Sequence, residues 1–332
     1  MSADGAVAVC IVTHDSAADL PACLEAVGRQ TLQPEELVVV DCASRDGSLE
    51  VATHHVPPGL RCTLEAAGSN LGFAGGMNLA FGLSRAPLVL MLNADAVLAP
   101  DFLARAVERL NSHPEHRVGA VAGRLSRPRG EGDVILDACG MRLTPSWRHL
   151  DRGSGERDRG QFATPQRVFG ATGAASLFRR AALEDVAVDG EILLCEFHSF
   201  REDAELCLRL CERGWETLYE PTAGAEHRRR NLPGRRSQMG PEVNRHTVKN
   251  RFLLRAYHLG SVNLLLTLVP TLTRDVLVVA YLLLFERTSL PAFAWLWRRR
   301  RPIFDRRRAI QSQRTVSRWR VDRWFFRSQM PL

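Results

Sequence analysis

The residues of this chain best placed to do chemistry are carboxylates that stop apolar runs. Asp41 follows the apolar run 37–40, and Asn93-Ala94-Asp95 follows the run 88–92. Glu202 and Asp203 open a helical stretch, and His227 stands just past a short apolar segment. Four or five apolar residues ending abruptly in a carboxylate read as a buried parallel strand, and the carboxyl ends of such strands form the crevice where open α/β sheets bind ligands. Three acidic sites and a histidine, in this order, could surround one nucleotide and one metal ion.

The elements that must carry these groups follow from periodicity. Residues 7–13 predict a first strand, and residues 19–30 a helix with Leu20, Cys23, Leu24 and Val27 on one face. A second strand over 37–40 delivers Asp41, and the turn 44–48 feeds another helix, with Asp46 placed to cap backbone amides. Residues 68–78 read as a glycine-rich loop whose backbone can approach a ligand, leading into a helix that ends near Leu83. A third strand ends at Asn93 to Asp95, and a helix follows over 101–110. Strand and helix alternating over 7–120 predict a doubly wound, mostly parallel sheet. Residues 124–166 are rich in Arg, Gly, Asp and Pro, and 152–160 read as an exposed loop facing a second substrate. A small-residue strand over 170–178 would leave room for a sugar.

Bulk composition adds a charge asymmetry. The 332 residues carry a net charge of +7, yet 287–332 hold thirteen Arg against Asp305 and Asp322, about +11, which leaves about −4 for the rest. An acidic body with a basic tail fits an anionic partner, either lipid headgroups or nucleic acid, and composition does not choose between them. The apolar stretches 252–272 and 276–285 are interrupted by charges, and each falls short of the roughly 18–20 apolar residues of a spanning helix. They are expected to be amphipathic helices in a membrane interface, with Trp295, Trp297, Trp319, Trp324 and the Arg clusters as anchors. The competing expectation is a helical bundle packed on the catalytic body. Eight scattered Cys without a CxxC pair read as reduced core residues, and nothing in residues 1–8 reads as a secretion signal, so a cytoplasmic protein at the inner membrane face is expected.

Taken in order, these segments resemble family 2 glycosyltransferases with the GT-A fold, and within them the rhamnosyltransferase-like branch. The resemblance rests on Ile11 to Thr13, Val40-Asp41, Asp46 to Ser48, the string Asn70-Leu-Gly-Phe-Ala-Gly-Gly-Met-Asn78, Leu92 to Asp95, Glu202-Asp203 and His227. It implies a GT-A catalytic domain over 1–240 and a helical, membrane-associating extension over 241–332. It also implies an inverting transfer of a sugar, such as L-rhamnose from dTDP-L-rhamnose, to a glycan or lipid-linked acceptor, with no nucleic-acid partner.

The resemblance further implies roles for particular residues. Asp203 is the expected general base, with Glu202 orienting it, and Glu205 stands where an acceptor-side Asp is common. Asp95 and His227 would hold a divalent cation, Mg²⁺ or Mn²⁺, that stabilises the departing diphosphate. Thr13 and Asp41 would frame the nucleoside, and Asn70, Gly72, Phe73, Asn78 and Asn93 the rest of the nucleotide-sugar. Arg228 to Arg230, with Arg235 and Arg236, could neutralise phosphate. The alternative reading is a catalytically silent nucleotide-sugar or glycan-binding protein on the same fold.

Overall fold

The computed structural model describes residues 5–113, 116–128, 132–229 and 240–332. Arg230, Arg235 and Arg236 therefore lie outside the described residues. The chain runs β1 (Val7–Thr13), α1 (Leu20–Gly28), β2 (Glu36–Asp41), α2 (Ser48–His55), β3 (Arg61–Ala66), α3 (Gly72–Leu83), β4 (Leu88–Asn93), β5 (Ala96–Leu98) and α4 (Phe102–Asn111). It continues through β6 (Val118–Ser126), β7 (Leu136–Ala138), β8 (Met141–Leu143), β9 (His149–Asp151), β10 (Gln166–Val168), β11 (Ala175–Arg179), α5 (Arg180–Asp185), α6 (Glu202–Glu212) and β12 (Glu216–His227). The C-terminal helices are α7 (Pro241–His258), α8 (Ser261–Phe285), α9 (Pro291–Arg298), α10 (Arg300–Ser312) and α11 (Arg318–Asp322).

The main sheet has the order β10-β12-β6-β11-β4-β1-β2-β3, with β5 on β12 and β7 on β6. Pairing is parallel from β3 through β4 and antiparallel where β11 inserts between β4 and β6. Side chains alternate between the faces of a strand, so Val7, Val9 and Ile11 pack under α1, α2 and α4, while Cys10 faces the layer built by α3, α5 and α6. Helices cover both faces, which is why the strands read as continuous apolar runs. This is the GT-A architecture expected, with β3 as an edge strand that the sequence reading did not single out.

Register brings the candidate groups to one rim. Thr13 pairs with Asp41, and Val12 with Asn93. Because β11 runs antiparallel to β4, the loop before it arrives at the same rim, where the Asn93 N–H donates to the Ala174 carbonyl at 2.8 Å. His227 ends β12 opposite Ala96 of β5, one residue beyond Asp95.

Three expectations are corrected here. The glycine-rich string is helix from Gly72 onward, and its glycines permit close packing: a Cβ at Gly76 would meet Val12 and Cys42 side chains at 2.7 and 2.9 Å. Arg152 lies buried inside the segment expected to be an exposed loop, with Nη1 donating to the Cys139 carbonyl at 2.7 Å. The C-terminal apolar residues do not divide at 272–276. The break falls at Leu259-Gly260, and α8 runs unbroken for 25 residues through Arg274 and Asp275. By length and composition α8 could cross a membrane, with a mean hydropathy of 1.8.

The C-terminal helices share a core with the sheet domain. Trp147, Phe197, Cys207 and Leu208 pack with Leu253, Tyr257, Ile310, Trp324 and Phe325. Trp324 is thus a core residue and not a headgroup anchor, whereas Trp297 and Trp319 are exposed. Tail arginines divide in the same way. Arg307 donates to the Ala256 carbonyl at 2.7 Å and Arg314 pairs with Glu212 at 2.5 Å, while Arg298 to Arg301 face outward.

Candidate active site

Asp95 and His227 meet at the sheet rim, with His227 Nε2 3.2 Å from Asp95 Oδ1 and 3.4 Å from the side-chain Nδ2 of Asn93. The other ring nitrogen, Nδ1, lies 2.8 Å from Asp137 Oδ2. Burial pulls the His227 pKa down, but hydrogen bonds to Asp137 and Asp95 outweigh it and lift the value to about 9. A carboxylate behind the imidazole fixes ring orientation and directs Nε2 toward Asp95, an arrangement typical of histidines that ligate metal. No group of three or more His, Cys, Asp or Glu among the described residues could by itself hold a metal ion. Asp95 and His227 instead offer two donors from one side, which suits a cation that takes the rest of its shell from diphosphate and water.

Asp203 stands at the first turn of α6. Its Oδ1 accepts from the Ala204 N–H at 2.7 Å and its Oδ2 from the Gly173 N–H at 3.3 Å. Gly173 adjoins Ala174, the residue bonded to Asn93, so residues 173–174 join the Asp203 corner to the Asp95 corner. Burial raises the Asp203 pKa, and the nearby Asp151 charge adds to it. Glu202 is more deeply buried, with Oε2 lacking a hydrogen-bond partner among the described residues. Burial, then the Asp203 charge, push its pKa well above its ordinary value.

A second connection between the corners was not visible in the sequence. Arg229 contacts Asp151, and its Nη1 lies 3.0 Å from Asp137 Oδ1. The sequence His227, Asp137, Arg229, Asp151 therefore couples the two corners by charge. Asp137 and Asp151 sit on the short strands β7 and β9, inside the stretch 124–166 that is rich in Arg, Gly, Asp and Pro.

At the far end of the rim, Asp41 and Thr13 are buried. Asp41 Oδ2 accepts from the Ser44 N–H at 3.1 Å, while Asp41 Oδ1 and Thr13 Oγ1 have no hydrogen-bond partner among the described residues. Two unsatisfied buried acceptors on adjacent strand ends are a suitable receptor for the polar edge of a nucleoside. The signature helix has a different task. The Asn78 carboxamide is committed to the main chain of Leu193, accepting its N–H at 2.9 Å and donating to its carbonyl at 2.6 Å. Asn70 Oδ1 accepts from the Gly72 N–H at 2.9 Å, and Gly72 has a φ of +68° with His198 packed against it. The Phe73 ring lies 3.1 Å from where a Cβ on Gly173 would stand. These four residues thus shape the rim.

A further correction concerns charge. Glu205 is fully buried, held by Arg209 and by His258 Nε2 at 3.2 Å, and cannot meet an acceptor. Arg228 pairs with Asp19 at 2.7 Å.

Comparison with known proteins gives a consistent picture. Residues 8–187 match the family model described as Glycosyl transferase family 2. A PGL/p-HBAD biosynthesis glycosyltransferase of Mycobacterium bovis is 33% identical over 132 residues, which cover 39% of this chain and 52% of that protein. The chain thus spans about half the length of that relative. An N-acetylglucosaminyl-diphospho-decaprenol L-rhamnosyltransferase of Mycobacterium tuberculosis is 23% identical over 68% of this chain and 77% of its own. Among solved structures, a mannosyltransferase from Pyrobaculum calidifontis in complex with GDP-Man and Mn²⁺ superposes with a TM-score of 0.53 at 20% identity, covering 96% of this chain and 84% of the other. Staphylococcus aureus TarS 1-349 in complex with UDP-GlcNAc gives 0.54 at 16% identity, covering 92% and 90%. These two similarities bear on fold alone.

Proposed function

We propose that this chain, which belongs to glycosyl transferase family 2, moves a sugar from a nucleotide-diphospho-sugar to a hydroxyl of a glycan or lipid-linked acceptor, with inversion at the anomeric carbon. The observation that carries this reading is the pairing of an Asp95–His227 corner with Asp203 across residues 173–174. Asp203 takes the proton from the acceptor hydroxyl as that oxygen bonds to the anomeric carbon and the bond to the diphosphate oxygen breaks. Burial and the Asp151 charge, by raising its pKa, make it a better proton acceptor. Thr13 and Asp41 hold the nucleoside, and Asn93 orients the sugar side of the donor. Asp95 Oδ1 and His227 Nε2 fit one side of a divalent cation, Mg²⁺ or Mn²⁺, which when bound neutralises charge on the leaving diphosphate.

L-rhamnose from dTDP-L-rhamnose is the donor we favour, because one relative over two thirds of the chain is named an L-rhamnosyltransferase. We assign residues 1–240 to donor binding and catalysis and 241–332 to a helical extension. That extension holds the protein to the inner face of a membrane. The inward face of α8 is polar, with Asn263, Thr267 and Thr271 buried against the body, while Leu265 and Val269 are 77% and 73% exposed. A helix with its apolar side outward is matched to an apolar medium.

The test is transfer and hydrolysis by the purified full chain with dTDP-rhamnose, UDP-galactose, UDP-glucose, UDP-N-acetylglucosamine and GDP-mannose, each with Mg²⁺, Mn²⁺ or chelator. We expect one donor, dTDP-rhamnose, to turn over and chelator to abolish it. Failure of every donor to react or bind would refute the enzymatic reading.

A further inference from the structure

A cluster of arginines lies between the Asp203 corner and the membrane-facing helix, and the donor chemistry makes no use of it. Four elements converge there. The turn before β9 packs on α8 through the Trp147 indole N–H, which donates to Thr267 Oγ1 at 3.1 Å, and through the Thr271 hydroxyl, which donates to the Pro145 carbonyl at 3.2 Å. Arg148 follows in that turn. Arg274 is on α8 itself, and Arg251 of α7 reaches Asp275 of α8 at 3.3 Å. Arg201, two residues before Asp203, has Nη1 3.3 Å from His149 Nδ1.

The acids nearby do not balance these cations. Asp275 is shared between Arg251 and Arg255, at 3.3 and 2.6 Å. Among the described residues, Arg148 and Arg274 have no ion pair, and the buried Nε of Arg274 and Nη1 of Arg255 have no hydrogen-bond acceptor. Burial, then Arg251 and Arg148, pull the Arg201 pKa down to about 9 against the opposing Asp203 charge, and burial with Arg274 lowers that of Arg148. Partly buried guanidinium groups that outnumber their carboxylates call for an anion, and the planar fork of arginine matches phosphate oxygens.

We propose that Arg148, Arg201, Arg251 and Arg274 bind the phosphate or diphosphate group of a lipid-linked acceptor. The proposal rests on the glycosyltransferase reading above and supplies what that reading lacks, a recognition site for the acceptor. The outward apolar face of α8 runs beside the lipid chain, and Arg274 on the same helix reaches the headgroup. The sugar attached to that group then extends toward Asp203, which follows Arg201 by two residues. The donor diphosphate belongs to the other corner, at Asp95 and His227.

The full chain is mixed with phosphatidylcholine vesicles, with the same vesicles carrying a few per cent of polyprenyl diphosphate, and with vesicles carrying phosphatidylglycerol at equal charge. Wild type is expected to bind the polyprenyl diphosphate vesicles more tightly than either of the others, by roughly tenfold or more. R148Q/R274Q should lose that gain, R148K/R274K should keep most of it, and both should bind dTDP and plain phosphatidylcholine as wild type does. Those two controls establish that the variants are folded. A gain that survives in R148Q/R274Q, or a wild type that treats phosphatidylglycerol like polyprenyl diphosphate, would overturn the proposal. Inorganic pyrophosphate is titrated separately without vesicles. Binding as tight as on the doped vesicles would assign the site to free phosphate and overturn its lipid part, whereas weaker binding supports it. Vesicle binding does not depend on turnover: a wild type that transfers no sugar yet shows the arginine-dependent gain removes the functional reading and leaves the anion site standing.

Discussion

Asp203 receives two backbone N–H bonds, enough to fix its carboxylate, yet it has Asp151 nearby and little solvent to stabilise its charge. D203N should lower kcat by about 10²–10⁴-fold, the usual contribution of a positioned base, and leave nucleotide affinity unchanged by calorimetry. Normal turnover would remove Asp203 from the mechanism. H227Q and D95N should each abolish the increase in donor affinity that Mg²⁺ or Mn²⁺ produces, read by titrating nucleotide with and without cation. Asp95, Asp203 and His227 were legible because each punctuates an element, at a strand end or a helix start. Asp137 and Asp151 were not, because β7 and β9 are only three residues each and too short to show a period. The structural partner of Asn78 was hidden for a related reason. Sequence exposes a polar residue on a glycine-rich stretch, but only the packed structure reveals that its carboxamide is used by Leu193.

At the scale of elements, the entry to α6 is the most constrained segment near the site. His198, Phe200 and Arg201 all have positive φ, at 62°, 70° and 73°, in the region that disfavours side chains. They are held from α7, where Asn250 Nδ2 lies 2.8 Å from the carbonyl oxygens of Phe197, Ser199 and Phe200. N250A should release this segment and depress kcat more than nucleotide affinity, because Asp203 loses its position while Asp95 and His227 do not. Equal falls in both would indicate global damage instead. Further along α6, His258 of α7 is buried between Glu205 and Glu212, with Arg209 and Arg314 completing the network. Burial alone would lower the His258 pKa, but the Glu212 charge and hydrogen bonds to both glutamates raise it above its ordinary value. Its stabilising contribution is therefore complete below about pH 6.5 and declines as pH rises through the folded value. Denaturation midpoints should fall with rising pH in wild type and flatten in H258Q, with about 3–5 kcal/mol lost at low pH where one partner is removed. The central parallel strands β1, β2 and β4 were legible as apolar runs, whereas the edge strand β3, partly exposed, was not. The α7–α8 boundary was misplaced because Arg274 and Asp275 look like a helix break, whereas Asp275 is in fact neutralised by Arg251 and Arg255 within a continuous helix.

For the whole molecule, composition anticipated an acidic body with a basic tail, but not which cations turn inward. Arg307 and Arg314 close the interface with α6 and α7, leaving Arg298 to Arg301 outward together with the exposed Trp297. L265E/V269E on the outward face of α8 should weaken binding to neutral vesicles by roughly tenfold or more with no change in unfolding midpoint, since neither side chain packs on the body. Neutralising Arg298 to Arg301 should spare neutral vesicles and remove the salt-sensitive part of binding to anionic ones. Under the membrane anchoring proposed above, the outward face of α8 also decides how turnover must be assayed. A protein confined to a bilayer meets a lipid-borne acceptor by lateral diffusion in two dimensions. Its rate then follows the mole fraction of acceptor in the surface and not the amount per millilitre, so adding inert lipid slows turnover while total acceptor stays the same.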